Sequence, residues 1–343
     1  MTHFVGIDVS LETSCVCIVD ASGRVVRELI AESEPEVLAT ALLDTKLDFS
    51  RVGLEAGPMS QWLHAGLAQV GLPAVLIETR RLRAAPKTMP IKTDRNDARA
   101  IAQVVRTGWF RAVHVKSVLS QELRGLLGAR KLLVGKVRDL DNAVRALLRS
   151  FGLKMGQIGE RAFAERAREL VEGRAALQTV LAPLLEARAA LLAQRDRLHR
   201  MVLMAVRSDP ICRRLMTVPG VGPVTALTFC SAVDDPNRFT RSRAVGAHFG
   251  LTPRRYQSGE TDRTGHISKQ GDALARQALY EAANVLLTRT QRWSALKAWG
   301  ITLAKRAGMR RAKVAVARKL AVVLHRMWRD GTEFRWSRGA TAA

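Results

Sequence analysis

The sequence predicts an α/β domain at the N-terminus and an all-α remainder. Near the N-terminus, short β-branched runs alternate with helix-like segments, whereas the rest of the chain has apolar residues at helical spacing. The chain has 343 residues and is 47% hydrophobic, which is enough for at least one substantial core, and its length favours two globular domains plus a connector. We expect an α/β domain at residues 1–112, a helical connector at 113–208, a mainly helical C-terminal domain at 209–332 and a tail at 333–343.

The α/β domain begins with three strand-like runs, FVGIDVS, SCVCIVD and RVVRELI, and the turn Ala21-Ser22-Gly23 joins the last two. A helix at 36–47, a strand at 51–57, a helix at 61–70, a strand at 74–79 and a helix at 94–106 follow. The early turn implies antiparallel pairing, and the later alternation implies parallel crossovers. A meander followed by strand–helix–strand units is the order of a ribonuclease-H-like fold.

The connector carries two apolar stripes whose steps of three and four residues, with gaps, are typical of paired helices. The stripes comprise Leu126, Leu133, Val137, Leu140, Val144 and Leu147, and then Leu177, Val180, Leu184, Leu191 and Leu198. This spacing predicts a helical hairpin or a coiled coil, and a plain bundle packed within its own chain is the alternative. We expect Gly152, Gly156, Gly173 and Pro183 to interrupt the heptads.

Two features of the C-terminal domain suggest contact with nucleic acid. The turn from Pro219 to Pro223 resembles a helix-hairpin-helix, in which the amides at Gly220 and Gly222 can hold a phosphate; the alternative is an ordinary tight connection. From Lys305 to Arg338 the chain is basic around an apolar helical face, which predicts a nucleic-acid-facing helix or a solvated one. Its cations include Arg310, Arg311, Lys313, Arg318 and Lys319, and its aromatic residues include Trp328 and Trp336.

The charge balance indicates a polyanionic partner. Lys and Arg number 55 against 31 Asp and Glu, for a net charge of +24, which favours nucleic acid through phosphate neutralisation and counterion release. An anionic membrane is the competitor, but the sequence has no uninterrupted run of about 18 apolar residues. The start MTHFVGIDVS lacks the basic and apolar regions of a signal peptide, so we expect a soluble intracellular protein with no membrane partner.

The four cysteines, Cys15, Cys17, Cys212 and Cys230, are too few and too scattered for a disulfide framework. The CxxC pairs that are usual in zinc sites are also missing. We therefore expect all four to be reduced and to pack as small apolar side chains, with a zinc site as the less favoured alternative.

Four carboxylates are predicted to converge in the α/β domain. Asp8 lies in the first strand run and Glu55 at the equivalent place in the fourth, where a lone charge is costly unless it is paired or binds metal. Asp94 and Asp97 are three residues apart at the start of a helix and so share one face. Oxygen ligands of this kind suit Mg²⁺ and the chemistry of phosphoryl transfer. Singly, the helical acids have plainer explanations, because the helix dipole favours Asp94 and Asp97 can pair with an arginine of the same helix.

A polar, glycine-punctuated segment from Gly250 to Gly271 is predicted to be a functional loop. Ser258 is a candidate nucleophile, since the adjacent glycine allows close backbone approach. The cations that can hold a scissile phosphate are Arg254, Arg255, Arg263 and Lys269. The alternative is that Ser258 is a turn residue and Ser268 a helix N-cap. No general base can be named, because a lone loop histidine such as His266 more often lies at the surface or contacts phosphate.

In this order, the motifs resemble those of the DEDD-type insertion-sequence transposases of the IS110 family. The resemblance rests on the four acids, with KTDRNDARAIA especially, on VPGVGPVTA, and on the serine segment that ends in GHISKQG. It spans nearly the whole chain. The acidic motifs alone are shared with ribonuclease-H-like junction resolvases, whereas the acids together with the serine segment are highly specific.

The resemblance implies a RuvC-like N-terminal domain, a coiled-coil connector and a C-terminal transposase domain. It implies that Asp8, Glu55, Asp94 and Asp97 bind Mg²⁺ and that Ser258 attacks DNA to form a covalent phosphoserine. It further implies a structured noncoding guide RNA that pairs with donor and target DNA. The protein is then expected to be a homo-oligomer, dimer to tetramer, in which the acids of one chain meet the serine of another. It would act in the bacterial cytoplasm, at the nucleoid.

Two other functions stay open from the residues themselves. A junction-resolving nuclease would use water and metal alone and would form no covalent protein–DNA intermediate. A non-catalytic nucleic-acid-binding protein would explain the positive charge but not the four acids.

Overall fold

The computed structural model describes residues 2–78 and 93–336. The chain divides into two compact units, Met1–Lys116 and Ser117–Ala343. The first unit is α/β and the second is mainly helical, as predicted. Thr79, Lys92, Arg338 and most of the tail predicted at 333–343 lie outside the described residues. The finer division of the second unit into a connector and a C-terminal domain stays a prediction.

The first unit is built on a five-stranded sheet. Its strands are β1 (Thr2–Val9), β2 (Thr13–Val19), β3 (Val25–Glu32), β4 (Asp48–Glu55) and β5 (Ala74–Ile77), in the spatial order β3-β2-β1-β4-β5. Its helices are α1 (Pro35–Leu43), α2 (Ser60–Gln69) and α3 (Asp94–Thr107). The first three strands pair antiparallel, β4 runs parallel to β1, and β5 runs parallel to β4. The predicted antiparallel start and parallel crossovers are therefore confirmed.

Alternation along β1 and β4 places α1 and α2 on one face of the sheet. Val5 and Ile7 are fully buried there with Leu38 of α1 and Leu63 of α2. The predicted end of α1 at residue 47 is wrong. The helix stops at Leu43 because Lys46 adopts a left-handed conformation (φ 56°) and β4 begins at Asp48.

The second unit opens with a long helical hairpin. It comprises α4 (Val118–Ser150), the short α5 (Phe163–Leu170) and α6 (Ala175–Ser208). The start of α4 shares a core with the end of α6 through Leu127 and Val202, and its end packs near the start of α6 through Val144 and Leu181. The two long helices are therefore antiparallel. This is the predicted hairpin.

Two details of the predicted stripes are wrong. Val180 is 51% exposed, and the buried positions are one residue further along, at Leu181 and Leu185. Pro183 does not interrupt the hairpin, since α6 continues through it. The glycines do interrupt it, because they lie in the connection between the long helices; they are Gly152, Gly156 and Gly173.

The buried face of α6 carries one arginine. Arg188 is 3% exposed, and its Nε donates a hydrogen bond to the carboxylate of Asp141 on α4 (2.5 Å). Its guanidinium lies 4.4 Å from the ring centroid of Phe163. In the described part of the chain, α6 is the one helix that is long and apolar enough, by length and composition alone, to cross a membrane. Glu186 and Arg188 interrupt its apolar stretch, which is why the sequence contains no continuous run. The ion pair of Arg188 with Asp141 joins α6 to α4.

The rest of the second unit is a helical core with one hairpin. Its elements are α7 (Pro210–Leu215), α8 (Pro223–Val233), α9 (Arg243–His248), β6 (Pro253–Ser258), β7 (Thr261–Ile267), α10 (Ala273–Thr288), α11 (Ala295–Ala307) and α12 (Met309–Asp330). Helix α8 is buried from Thr225 to Val233 and shares a core with α10 and α12. The predicted loop at 250–271 is wrong, because most of it forms the antiparallel pair β6–β7.

Candidate functional site

Asp8 and Glu55 lie side by side at the carboxyl ends of two adjacent parallel strands. The register of β1 and β4 pairs Gly6 with Gly53, and the two acids follow two positions later in each strand. Because side chains alternate along a strand, both carboxylates lie on the face of these glycines and opposite the α1–α2 core. Both acids are half-buried. The predicted adjacency of the first and fourth strands is confirmed.

Two glycines let α3 cross this face closely. A Cβ built on Gly6 would lie 2.3 Å from the amide nitrogen of Ala102 and from the carbonyl oxygen of Ala98, both in the backbone of α3. One built on Gly53 would lie 2.3 Å from Cγ2 of Val105. A side chain at either position would therefore push the helix away from the strands that carry the acids.

Helix α3 points its N-terminus toward the end of the sheet that carries Asp8. Near the C-terminal end of α3, Gln103 donates a hydrogen bond to the carbonyl oxygen of Gly23, in the turn between β2 and β3 (2.6 Å). At its other end, Asp94 lies close enough to act on the thiol of Cys15, which is paired with Asp8 in the β1–β2 ladder. Carboxylates from strand and helix are therefore gathered at one end of the sheet.

Asp94 and Asp97 occupy the first turn of α3, as predicted. Thr93 caps the helix, because its hydroxyl accepts a hydrogen bond from the amide of Asn96 (3.3 Å). Asp94 is exposed and Asp97 is half-buried. Within residues 2–78 and 93–336, no three of the four acids bring carboxylate oxygens within 4.8 Å of one another. The four acids share one end of the sheet, but their carboxylate oxygens are too far apart for three of them to bind one ion directly in this arrangement.

Cys15 is a neighbour of the acids that sequence reasoning missed. Burial raises the pKa of its thiol, the carboxylates of Asp94 and Asp8 raise it further, and Arg95 opposes them. The thiol is therefore neutral at pH 7. The alternating run that contains Cys15 predicted a strand, but only the register places the residue opposite Asp8.

Arg99, on the same helix as Asp97, is paired with Glu28 of β3. Its Nη2 donates to Oε2 of Glu28 at 2.9 Å, and its guanidinium holds the pKa of that carboxyl below its usual value. Because Arg99 is already paired with Glu28, an ion pair with Arg99 is a weaker explanation for the presence of Asp97.

Ser258 is the last residue of β6, at the tip of an exposed hairpin. It pairs with Thr261 across a two-residue turn that begins with Gly259, whose φ of 54° is left-handed. The base of the hairpin is tightly packed, because a Cβ on Gly250 would lie 2.1 Å from the carbonyl oxygen of Gln270. An exposed serine is therefore carried by a firmly anchored pair of strands.

The hairpin separates the predicted phosphate-binding cations onto two faces. Tyr256 pairs with Arg263, and residues opposite one another in a ladder share a face, so Arg263 lies on the same face as Ser258. Arg255 lies on the other face, where its guanidinium donates two hydrogen bonds to the carboxylate of Asp262 (2.9 and 2.6 Å). Arg263 is thus the cation of this set that the ladder places beside the candidate nucleophile.

The other polar residues of this segment lie toward the base of the hairpin. Arg254 donates to the carbonyl oxygen of Ser268 (3.2 Å), Lys269 has a left-handed φ of 54°, and His266 is exposed near the end of β7. The suggestion that Ser268 caps a helix is wrong, because α10 begins after the N-cap Asp272.

The turn between α7 and α8 gives its two glycines different surroundings. A Cβ on Gly220 (φ 88°) would lie 2.4 Å from the carbonyl oxygen of Ala282, so close packing on α10 explains this glycine. Gly222 is the N-cap of α8, and a Cβ there would meet no described atom within 4 Å. Of the two, Gly222 is therefore the one at an open helix N-terminus.

The described part of the predicted basic segment, residues 305–336, comprises the end of α11, the whole of α12 and a non-helical stretch after it. One face of α12 is buried in the core, with Val316 and Leu324 fully buried. Its outer face exposes Arg310, Arg311, Arg318 and Lys319, and Lys313 is half-buried. Trp328 packs against Phe229, with 6.4 Å between the two ring centroids. The guanidinium of Arg292 lies 3.9 Å from the ring centroid of Trp336.

Comparison with known proteins identifies the family. A profile described as a transposase of the DEDD IS110 type matches residues 5–152, and the profile described as Transposase IS116/IS110/IS902 family matches residues 212–298. The chain is 31% identical over 325 residues to the transposase for insertion sequence element IS1111A of Coxiella burnetii, covering 93% of this chain and 87% of that protein. This chain belongs to the IS110/IS116 transposase family. The predicted family membership is confirmed.

Further relatives align with this transposase over most of its length. It is 30% identical to a probable family 20 transposase of Pseudomonas aeruginosa, over 80% of this chain and 82% of the relative. It is 27% identical to the transposase for insertion sequence element IS1328 of Yersinia enterocolitica, over 82% and 85% respectively. The DEDD-type match contains all four acids, and the other family match contains Ser258. As a member of this family, the transposase acts on DNA, which it cuts and rejoins in transposition.

Proposed function

We propose that this transposase cuts DNA with Ser258 as its nucleophile and with Mg²⁺ held by Asp8, Glu55, Asp94 and Asp97. The observation that carries the proposal is the end of the sheet where the carboxyl ends of β1 and β4 meet the N-terminus of α3. Carboxylates from two strands and one helix are gathered there, on the face that the glycines of β1 and β4 keep open to α3.

The sheet supports a ribonuclease-H-like, RuvC-like assignment for the first unit. Its order β3-β2-β1-β4-β5 combines an antiparallel meander with two parallel strands reached through helical crossovers. The two strand acids lie at adjacent carboxyl ends, where ligands bind in open α/β sheets. We infer that the acidic end of this sheet faces the phosphate backbone.

The acid set fits Mg²⁺ by the chemistry of its donors. All four groups offer carboxylate oxygens, and Mg²⁺ is usually held through one or two carboxylates, with water and phosphate oxygens completing its shell. Such a site does not require four protein oxygens in mutual contact, so the spread of these acids is compatible with it. Bound Mg²⁺ would supply polarisation of the scissile phosphate.

The serine step conserves the number of phosphodiester bonds. A bond forms between Oγ of Ser258 and phosphorus while one P–O ester bond of the DNA strand breaks. The serine proton is lost and the leaving oxygen gains one. The phosphoserine intermediate is itself a phosphodiester, so attack by another DNA hydroxyl can rejoin the strand without an external source of energy. Arg263 lies on the same face as Ser258, and its guanidinium would donate hydrogen bonds to the phosphate.

The charge and the family of this transposase support a proposal about its partners. We propose donor and target DNA, a noncoding guide RNA and a homo-oligomer, dimer to tetramer, acting in the bacterial cytoplasm at the nucleoid. The net charge of +24 and the exposed cations of α12 support polyanionic partners. Arg263 is proposed to contact the scissile phosphate, and phosphates elsewhere on the nucleic acid are proposed to contact Gly220, Gly222, Arg254, Arg255 and Lys269.

A denaturing-gel assay for a covalent protein–DNA adduct tests the proposal. It uses element-end DNA, Mg²⁺ and the transcript that flanks the element, with the wild type, Ser258→Ala and Asp94→Asn. The matched control is Thr264→Ala, which removes an exposed hydroxyl from the opposite face of the same hairpin. We expect an adduct with the wild type and the control, and none with the other two variants.

Two outcomes would overturn parts of this proposal. Cleavage without an adduct in both the wild type and Ser258→Ala would show that Ser258 is not the nucleophile and would indicate a metal-dependent nuclease that uses water. Full adduct formation by the Asp94→Asn, Asp97→Asn double variant would show that these two acids do not serve catalysis.

A further inference from the structure

Asp209, Cys212 and Cys230 form a compact group of side chains that can bind metal, in elements that carry neither the acids nor the serine. Their ligand atoms all lie within 4.8 Å of one another, and the two sulfur atoms are 3.6 Å apart. Cys212 and Cys230 are buried, and Asp209 is half-exposed. In the described part of the chain, this is the one group of three or more His, Cys, Asp or Glu residues that approach so closely.

Helix α7 explains why the first two residues converge. Asp209 is the N-cap of α7 and Cys212 is its third helical residue, and side chains at these two positions face each other, as they do in a capping box. Oδ1 of Asp209 accepts a hydrogen bond from the amide of Ile211 (2.7 Å), which fixes the carboxylate toward the helix. Cys230 comes from α8, which packs against α7 in the same core. The group therefore joins two helices that are separated in sequence by a tight turn.

We propose that Asp209, Cys212 and Cys230 bind one Zn²⁺ per chain. A Zn–S bond is about 2.3 Å, so two thiolates on a tetrahedral ion lie roughly 3.8 Å apart, close to the separation seen here. Two thiolates favour zinc over magnesium, and the carboxylate is a regular third ligand. Zn²⁺ enters as the two thiols lose their protons, and the fourth position is left for water on the half-exposed side of Asp209.

The site would tie α7 to α8 on either side of the turn that contains Gly220 and Gly222. A metal that binds only the folded chain stabilises it, and here the constraint falls on the helix pair that presents the open N-terminus of α8. The proposal does not depend on the serine or on the four acids. A plain contact between two core thiols and a disulfide are the competing states, and both are outcomes of the test.

Cobalt substitution in the full-length protein tests the site. Co²⁺ bound to thiolate gives a charge-transfer band in the near ultraviolet, whereas Co²⁺ bound to carboxylates alone does not, so the four acids do not contribute. The metal-free protein is titrated with Co²⁺ and then with Zn²⁺. The variants are Cys230→Ser and Asp209→Asn, in which asparagine keeps the helix cap but loses the charge. The control is Cys15→Ser, because this thiol lies beside the acids.

We expect one thiolate-bound cobalt per wild-type chain, displaced by Zn²⁺. Cys230→Ser should lose the band, Asp209→Asn should bind at least tenfold more weakly, and Cys15→Ser should be unchanged. Zn²⁺ should raise the Tm of the wild type and of Cys15→Ser but not that of Cys230→Ser. A folded wild-type protein without the band at excess cobalt, or a Cys212–Cys230 disulfide found by mass spectrometry after alkylation of the freshly isolated protein, would overturn the proposal. Neither result would bear on Ser258.

Discussion

At the scale of single residues, the strand face on which a charged side chain lies decides which groups it can contact. The ladder of β6 and β7 places Arg263 beside Ser258 and Arg255 on the reverse face. Arg255 is also satisfied by two hydrogen bonds to Asp262. The sequence offered these arginines as equivalent candidates for phosphate binding, because a loop carries no periodicity that would separate them.

We expect Arg263→Ala to slow adduct formation by about a hundredfold, as the loss of a donor to a transition-state phosphate does. Arg255→Ala, the matched control, should slow it by less than about tenfold, since an exposed ion pair contributes little. Single-turnover rates at saturating DNA measure both variants. A larger effect of Arg255→Ala would contradict the assignment of faces.

His325 is buried in surroundings that disfavour its protonated form. It is fully buried, its Nε2 donates to the carbonyl oxygen of Pro236 (2.8 Å), and its Nδ1 lies 3.0 Å from Oγ of Ser242, whose hydroxyl can donate to it. Burial lowers the pKa of this imidazole, Arg329 lowers it further, and the Pro236 carbonyl opposes them. The folded pKa is thus below the unfolded value of about 6.5.

The free energy of unfolding should therefore fall as the pH is lowered through about 6.5, where the unfolded chain takes up a proton that the buried imidazole resists. The contribution of His325 is fully present above that pH. Denaturant titrations at about pH 8 and about pH 5 measure the change. His325→Gln should show a smaller change than the wild type, and His266→Gln, at an exposed position, should match the wild type. Equal pH dependence in all three proteins would exclude this role for His325.

At the scale of elements, the approach of α3 to the sheet decides whether the acids meet. The helix has the predicted start and the strands carry the predicted acids, but their meeting depends on the absence of side chains at Gly6 and Gly53. In the sequence, both glycines stand inside predicted strands. A glycine inside a strand has several causes, and the close contact with a helix backbone is seen only in the folded chain.

We expect Gly6→Ala to destabilise the protein by about 3 kcal/mol or more, since the new Cβ would overlap the backbone of α3, which cannot move as a flexible side chain can. Gly57→Ala is the matched control. It lies just beyond β4, where a Cβ would meet no described atom within 4 Å, and it should change stability by less than about 0.5 kcal/mol. Urea unfolding followed by circular dichroism provides the comparison. Similar stabilities of the two variants would show that α3 does not pack as closely as described.

At the scale of the whole molecule, the net charge of +24 governs association with nucleic acid. Part of this charge lies on the exposed side of α12, whose other side is built into the core. Cations held on a fixed helix face can neutralise neighbouring phosphates together, so binding should be dominated by counterion release.

We expect DNA affinity to fall by about 10³-fold or more between about 50 and about 200 mM salt, as it does for proteins that neutralise six or more phosphates. The double variant Arg318→Ala, Lys319→Ala should reduce the slope of log Kd against log salt concentration by about 2. Fluorescence anisotropy with element-end DNA measures the slopes. An unchanged slope would show that this face of α12 does not contact the backbone.

The order of elements in the first unit could be predicted from the sequence alone, and so could the adjacency of Asp8 and Glu55. Strand alternation and helix periodicity are local, and short connections leave few ways to arrange a meander followed by two crossovers. The family motifs are local in the same sense, which is why membership could be inferred from residues such as Asp94, Asp97 and Ser258.

Only the tertiary structure decided which faces meet. The serine hairpin gave no strand signal, because β6 and most of β7 are exposed on both faces and lack apolar alternation. The buried stripe of α6 is displaced from Val180 to Leu181 because packing against α4 selects the face. Cys212 and Cys230 are 18 residues apart, and only the packing of α7 on α8 brings their sulfur atoms to 3.6 Å. The sequence determined the elements and their chemistry, whereas long-range packing determined which side chains share a site, since spacing along a chain does not encode distances between separate elements.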